Sequence, residues 1–569
     1  METVFTRTAI IGSGCAAWSA ANWLHSMGED DFWLITEDVN AGTSRNTGSD
    51  KQTYYKLSLS GDAGDSVGQM ARDLITGADV DGDIALLEAA NSAKCFYRLA
   101  ALGVDFPHNQ YGEYVGYMTD HDLKARATSA GPLTSRYMTE ALEKAAKDNG
   151  TRIMDKLMAL QLLTGPAGIE GVLCLNLNAN KLIRFACAHV ILCTGGPAHI
   201  YRDSVYPLSQ HGMSGLALAA GAAGANLQCW QYGLASTGFR WNVSGSYQQA
   251  LPRFVSVDEK GNEREFLLDT LSPEEALKLA FLKGYQWPFD ENKLSGSSKI
   301  DMLVKKETDN GRRVYMDYRR NPSGYSEKAM GEEAYSYLKN CGALQKTPLE
   351  RLFAINPPAI ALYRNNGIDL ENEMLEIKVC AQHHNGGIMV DSDWQSTIPG
   401  LYAAGEAAGT FGQVRPGGSA LNSTQVGSYR AAEHIAKRSE RKVSQAALKA
   451  ALPPLPLGEA AWFQKEMSRV AGIQRDAQGI RALLEAVREA LEGKKKADIG
   501  APDLLPRLML NDLLETQKAV LESMCYAIES EGKGVLETRL SGCAYRPARP
   551  LPERELWFEK VWREYREGN

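Results

Sequence analysis

The 569-residue chain contains no run of 18 apolar residues, so it offers no candidate membrane-spanning helix. Its ten cysteines form no C-x-x-C pair and show no metal-like spacing. That argues against a dithiol redox centre and against a metal or iron–sulfur site within this chain. Several of them (Cys15, Cys187, Cys193) lie in apolar runs, and reduced, buried thiols in a cytoplasmic protein are the expectation. Basic excess is also missing. A net charge of −7 gives no electrostatic basis for binding nucleic acid or an anionic membrane. There are no internal repeats and no low-complexity segments, and with a strand expected within the first few residues no signal peptide is expected. The remaining composition, 44% hydrophobic and 23% charged, is that of a globular protein long enough for two or three domains.

What is present is concentrated first in the opening thirty residues. Thr8-Ala9-Ile10-Ile11 reads as a buried strand, followed by Gly12-Ser13-Gly14-Cys15-Ala16-Ala17 and an alanine-rich helix to about Met27. In such a G-x-G-x-x-A turn Gly12 permits the tight turn and Gly14 lets the backbone approach a pyrophosphate. Ala17 lets the helix pack on the sheet. The helix N-terminus then offers free N–H groups to phosphates. A second strand, Phe32 to Thr36, leads to Glu37, an acid at the distance where such units hold a ribose. A dinucleotide site is predicted. Ser44, in the polar loop from Asn40 to Lys51, is placed where the ligand's far end runs.

Helical periodicity follows over Asp65 to Leu102 and from about Ser135 to Asn149, then a β-rich piece over 151–193. From about Gln231 the sequence turns polar and loop-rich, and core-like sequence resumes after Asn356-Pro357-Pro358. Pro453-Pro454-Leu455-Pro456 reads as a stiff linker, beyond which two or three amphipathic helices are expected. Lys494-Lys495-Lys496 reads as a solvated helix end.

Two further motifs separate the possible dinucleotides. Leu192-Cys193-Thr194-Gly195-Gly196 and Gly400-Leu401-Tyr402-Ala403-Ala404-Gly405-Glu406 are similar to the A-T-G-G and G-L-Y-A-x-G-E motifs of two-part flavoproteins. Gly417-Gly418-Ser419-Ala420-Leu421-Asn422-Ser423 resembles the segment that aims a helix N-terminus at the flavin, where its positive end stabilises a reduced, anionic ring. In their order these motifs resemble the succinate dehydrogenase/fumarate reductase flavoprotein family, which includes L-aspartate oxidase. The resemblance implies an α/β fold: a Rossmann-like FAD-binding domain in two parts (1–230 and 356–445), an inserted α+β capping domain (231–355) and a C-terminal helical domain (446–569). It implies FAD, held through Gly12, Gly14, Ala17, Glu37, Ser44, Thr194, Gly195, Gly196, Gly405, Glu406, Ser419, Asn422 and Ser423. It also implies hydride transfer between flavin N5 and a substrate whose carboxylate is clamped by Arg and His.

Several positions depart from that family. The flavin-linking His falls at Arg45, so non-covalent FAD is expected. The substrate-binding His of W-Q-F-H-P-T falls at Gly233, while Gln231 is kept as a substrate contact. The His of H-x-x-M-G-G-I falls on Gln382, with His383 or His384 available from a shifted backbone. The proton-transfer Arg falls near Lys293, and the clamp Arg best matches Arg415. His383 and His384 are the acid/base candidates, against a plain backbone hydrogen bond at a strand entry. Arg415 is an anion anchor or a structural ion pair, and Lys293 a proton donor or a solvated lysine. Arg240 and Arg253 beside Trp241 are cap-side substrate contacts, against aromatic packing that explains Trp241 without any substrate, and His121-Asp122 is an oriented imidazole or a turn. The expected activity is that of a flavin oxidoreductase acting on a small, anionic substrate other than succinate or fumarate. Alternatives are a catalytic flavoprotein working with an iron–sulfur partner and a non-catalytic electron carrier.

Overall fold

The computed structural model describes residues 2–61, 64–77, 79–119, 122, 124–443 and 451–567. At its centre lies a five-stranded parallel sheet in the order Leu401–Ala403, His189–Leu192, Thr8–Ile11, Phe32–Ile35, Arg152–Met154. Strands Thr8–Ile11 and His189–Leu192 are buried along their whole length, which is why they read as unbroken apolar runs. Helix Cys15–Ser26 covers this sheet with Ala17, Ala20 and Ala21 completely buried. Those small side chains let helix Ser419–Lys437 approach closely. Ser428 Oγ donates to the Ala16 carbonyl at 3.0 Å, and Ser19 Oγ donates to Gln425 Oε1 at 2.9 Å. A four-stranded sheet of Glu2–Phe5, Lys181–Ala186, Gly168–Asn176 and Leu157–Gly165 completes this part.

The cap is built on a six-stranded antiparallel sheet. Trp230–Ser236 and Leu375–His384 are paired in it, with Arg313–Asp317, Arg253–Val257 and Glu263–Arg264 on one side and Trp241–Asn242 on the other. Its own hydrophobic core runs from Leu234 to Ile377 and includes Ala359, Ile360, Tyr363 and Leu370. Packing therefore continues past residue 355. Pro357 and Pro358, which read as a boundary, instead open helix Pro357–Asn365, where a missing N–H is harmless.

The two parts are latched by the loop after helix Thr43–Asn46. Asp50 accepts hydrogen bonds from Ser246 Oγ and, at 2.7 Å, from Asn356 Nδ2. Asn242 Nδ2 donates to the Gly48 carbonyl at 3.0 Å, and a Cβ on Gly48 would collide with Trp241.

The tail holds helices Ala460–Val470, Ala477–Glu492 and Leu504–Glu529, whose buried side chains join the core of the nucleotide-binding part. It is not purely helical. Hairpin Val535–Arg539 and Gly542–Arg546 adds two strands beside Gly224–Ala225 and Gly387–Ile388, short alternations that helical periodicity does not reveal. Among the described residues no helix is long and apolar enough to cross a membrane, and no group of His, Cys, Asp or Glu is placed to hold a metal ion.

Candidate functional site

One cavity of about 1250 Å³ runs from the first strand–helix turn to the underside of the cap. Its near end is built by backbone. Gly12 has φ +122°, its N–H donates to the Ile35 carbonyl at 2.8 Å, and any Cβ there would fall on the Cys193 carbonyl. Gly14 caps helix Cys15–Ser26, and Ser44 Oγ accepts from the Cys15 N–H at 3.3 Å. Glu37 lines the cavity and accepts from His211 Nδ1 at 3.0 Å. Gly12, Gly14, Ser44, Thr194, Gly195 and Gly405 all line it. Ala17 does not; it is buried in the helix–sheet contact.

The far end lies between strands Trp230–Ser236 and Leu375–His384 and loop 411–418. Gln231 and His383 are cross-strand partners, and both line the cavity. His383 Nδ1 pairs with Asn385 Oδ1 at 3.0 Å, while Nε2 has no hydrogen-bond partner. Burial, reinforced by the Arg415 charge, pushes His383 well below the usual imidazole range. Glu406 Oε1 accepts from the His384 N–H at 2.7 Å and from Tyr206 OH, and lies 4.0 Å from His383 Nε2. Burial raises this carboxyl to about 7. Arg415 sits over the Phe411 ring, 5.6 Å from its centroid, with Nε buried and unpartnered. Burial lowers it to about 10, so it stays charged at neutral pH. Among the described residues no carboxylate lies within ion-pairing distance of it.

The residues present fit a flavin dinucleotide. Buried polar atoms are almost always paired in folded proteins. Here Thr43 Oγ1, Thr194 Oγ1, Gln231 Oε1, Gln382 Oε1, His383 Nε2 and Arg415 Nε are buried without a partner, all on residues lining one cavity. At one end stand a helix N-terminus and a glycine turn that a Cβ would fill, and at the other a second helix start, Gly418–Leu421. Arg45 points away from the cavity into an ion pair with Glu143, with Glu140 at 3.7 Å.

Other expected residues lie elsewhere. His384 stacks on Trp230 at 4.2 Å, gives Nε2 to the Leu227 carbonyl at 3.1 Å and does not line the cavity. Strand alternation sends it to the opposite face from His383. Lys293 stands beside the cavity wall but outside it, 3.6 Å from Asp290 Oδ2. Arg253 is held within the cap by Glu263, Glu265 and Asp317. Arg240 donates to the Tyr206 and Arg202 carbonyls. Asn422 and Ser423 turn inward, Asn422 to the Glu88 carbonyl and Ser423 to Thr410, so that Ala420, Leu421 and Thr424 meet the cavity instead. Ser419 Oγ is buried without a partner beside them, and Gly196 backs onto Glu406. His121 lies outside the described residues; Asp122 accepts from the Lys124 and Arg126 N–H groups in a turn.

The sequence reading missed Trp287, Tyr206 and Asn385. Trp287 covers Gly233, where a Cβ would approach its ring to 2.6 Å. A glycine inside a strand was the available signal, since it often marks close approach by another group. Tyr206 and Asn385 are polar loop residues with no local signature.

Behind helix Ser419–Lys437, burial raises Glu88 to about 7, against the pull of Ser423, Thr410 and Arg415. The unfolded chain gives up this proton nearer pH 4.5. Stability present below that pH is therefore lost as pH rises through 7, by up to roughly 3 kcal/mol. Glu88→Gln should remove the loss. Melting temperatures at pH 5 and pH 8 should then lie closer together than in the wild type.

The family model of the FAD binding domain matches residues 7–421. L-aspartate oxidase of Agrobacterium fabrum is 25% identical over 496 residues, spanning 85% of this chain and 84% of its own. A fumarate reductase (CoM/CoB) chain of Methanothermobacter marburgensis is 23% identical over 429 residues, spanning 71% and 70%. Among solved structures, Mycobacterium smegmatis Sdh1 superposes with a TM-score of 0.72 at 18% identity, covering 97% of this chain and 96% of that one. The E. coli quinol fumarate reductase FrdA does so at 0.68 and 18%, covering 98% and 99%. At that identity the likeness is one of fold.

Proposed function

The chain belongs to the FAD binding domain family and is an FAD-dependent oxidoreductase, and on that premise we propose that its substrate is a small carboxylate other than succinate or fumarate. The observation that carries this reading is Arg415: a charged guanidinium on the cavity wall with no carboxylate partner among the described residues, close to the unpartnered Nε2 of His383. A desolvated cation is costly unless an anion meets it, and guanidinium matches carboxylate in a bidentate pair. When bound, FAD supplies hydride transfer at flavin N5. Arg415 anchors the carboxylate, His383 takes up or returns the accompanying proton, and Gln231 faces the substrate from the paired strand. Trp287 over Gly233 removes the cap-side imidazole of the resembling family, and Arg240 and Arg253 are spent elsewhere. A second carboxylate thus loses the partners that succinate or fumarate calls for. The L-aspartate oxidases among the relatives favour testing α-amino acids first.

The test is an anaerobic screen for bleaching of the protein's flavin absorbance by α-amino and 2-hydroxy acids, with reoxidation of reduced enzyme by unsaturated carboxylates as the reverse arm. Bleaching by a carboxylate other than succinate, L-aspartate included, at rates at least tenfold above succinate supports the reading; bleaching by succinate alone, or reoxidation by fumarate alone, overturns it. Rapid reoxidation in air favours an oxidase, and slow reoxidation favours electron transfer to an iron–sulfur or other protein partner.

Because Arg45 is committed to Glu143, the flavin is expected to be free of covalent attachment. Acid precipitation should leave all the yellow in the supernatant and none in the pellet.

A further inference from the structure

We propose that Asn385 sets the tautomer of His383, so that the ring presents an unprotonated Nε2 to the cavity and serves there as a proton acceptor. The catalytic consequence rests on the function proposed above; the tautomer does not.

Asn385 is completely buried. Its Nδ2 donates to the Gln413 carbonyl at 3.1 Å, and a carbonyl can pair only with the NH₂ half of the amide. The amide orientation is thereby fixed, and Oδ1 is the atom 3.0 Å from His383 Nδ1. An amide oxygen only accepts, so Nδ1 carries the hydrogen. In a neutral imidazole the other nitrogen then holds a lone pair. Free histidine prefers the opposite tautomer, so this one has to be imposed.

The surroundings keep the ring neutral. His383 is packed among Arg415, Glu406, His384, Asn385 and the edge of Phe411. The Arg415 cation and the lack of solvent both oppose protonation, while Asn385 favours it weakly. The Glu406 oxygen nearest Nε2, at 4.0 Å, already accepts from the His384 N–H and Tyr206 OH. Nε2 is thus left for a ligand. With FAD bound to accept the hydride that leaves carbon, Nε2 would take the proton from the adjacent atom. Together the two transfers account for a two-electron oxidation and one new double bond in the product.

The experiment is two-bond ¹H–¹⁵N correlation NMR of the flavin-loaded protein carrying ¹⁵N-histidine, at pH 7.5. Loss of one ring's signals in His383→Gln assigns them. The expected result is the Nδ1–H pattern for His383 in the wild type, its replacement by Nε2–H or a mixture in Asn385→Leu, and its retention in Asn385→Asp with titration moved to higher pH. A wild-type ring in the Nε2–H form overturns the proposal without any variant, as does an unchanged pattern in Asn385→Leu. With a bleaching substrate in hand, Asn385→Leu should slow bleaching by roughly tenfold or more. The acid limb of the pH profile should move up in Asn385→Asp. An Nδ1–H ring in a protein that no carboxylate bleaches would sink the proposed function and leave the tautomer standing.

Discussion

Arg415→Ala is expected to lower the second-order rate of flavin bleaching by roughly 10²- to 10⁴-fold while leaving the flavin spectrum in place. The magnitude follows from the roughly 3–5 kcal/mol typical of truncating one member of a buried, charge-assisted pair. Substrate is the other member here, since no carboxylate of the described chain pairs with this guanidinium. Arg415→Lys should recover only a small part of the rate, because an ammonium cannot make the bidentate contact. A purely structural arginine makes the opposite forecast for stability. Were Arg415 held in an internal ion pair, its removal would cost stability. An anion anchor has no direct carboxylate pair until substrate arrives, only the more distant pull of Glu406 and Glu88, so the alanine variant should melt little or no lower than wild type without substrate. It should also lose the stabilisation that a carboxylate ligand gives the wild type. Thermal shifts with and without ligand, beside stopped-flow bleaching, read all three quantities. A variant that bleaches at the wild-type rate removes Arg415 from the site.

Gly12→Ala should give a protein purified with less than a tenth of the wild-type flavin. At φ +122° an L-residue is strained by about 1–3 kcal/mol, and here the new methyl also meets the Cys193 carbonyl. That carbonyl cannot move alone. Leu192 is paired with Ile11, and the Cys193 N–H donates to the Ile11 carbonyl at 2.9 Å. Relief of the clash must spread the two central strands and carry Thr194 and Gly195 with them, distorting both sides of the nucleotide site together. Gly28→Ala is the control. It also has positive φ, +80°, but its Cβ would meet nothing within 4 Å. It should cost about 1 kcal/mol and keep the flavin. The ratio of visible to ultraviolet absorbance and the melting temperature separate the outcomes, and a fully yellow Gly12→Ala protein would refute this account of the turn.

Residues 8–17 carry in their own order the signals for the strand, turn and helix of the nucleotide site, because the apolar run, the glycine spacing and the small helix residues are needs of the local backbone and its close packing. The same holds for the strand leading to Gly405-Glu406 and for the glycine turn before Ser419. Backbone needs of that kind leave glycines at fixed spacing, and spacing survives in one dimension. The loss of a cap-side imidazole at Gly233 was legible in the same way.

Side-chain facing was not. His383 and His384 are equivalent in sequence; the register that sets Gln231 opposite His383 and Trp230 opposite His384 turns one toward the cavity and stacks the other on an indole. Arg253 carries the charge a substrate clamp needs, yet Glu265 and Asp317, 12 and 64 positions away, take it up. Asn422 and Ser423 sit on the expected helix, but its rotation, fixed by packing against helices Gly82–Ala101 and Cys15–Ser26, sends them inward. The chain alone thus specified the cofactor and the glycine turns of its backbone. Only tertiary packing decided which charges remain unpaired, because pairing depends on partners that folding brings from distant segments.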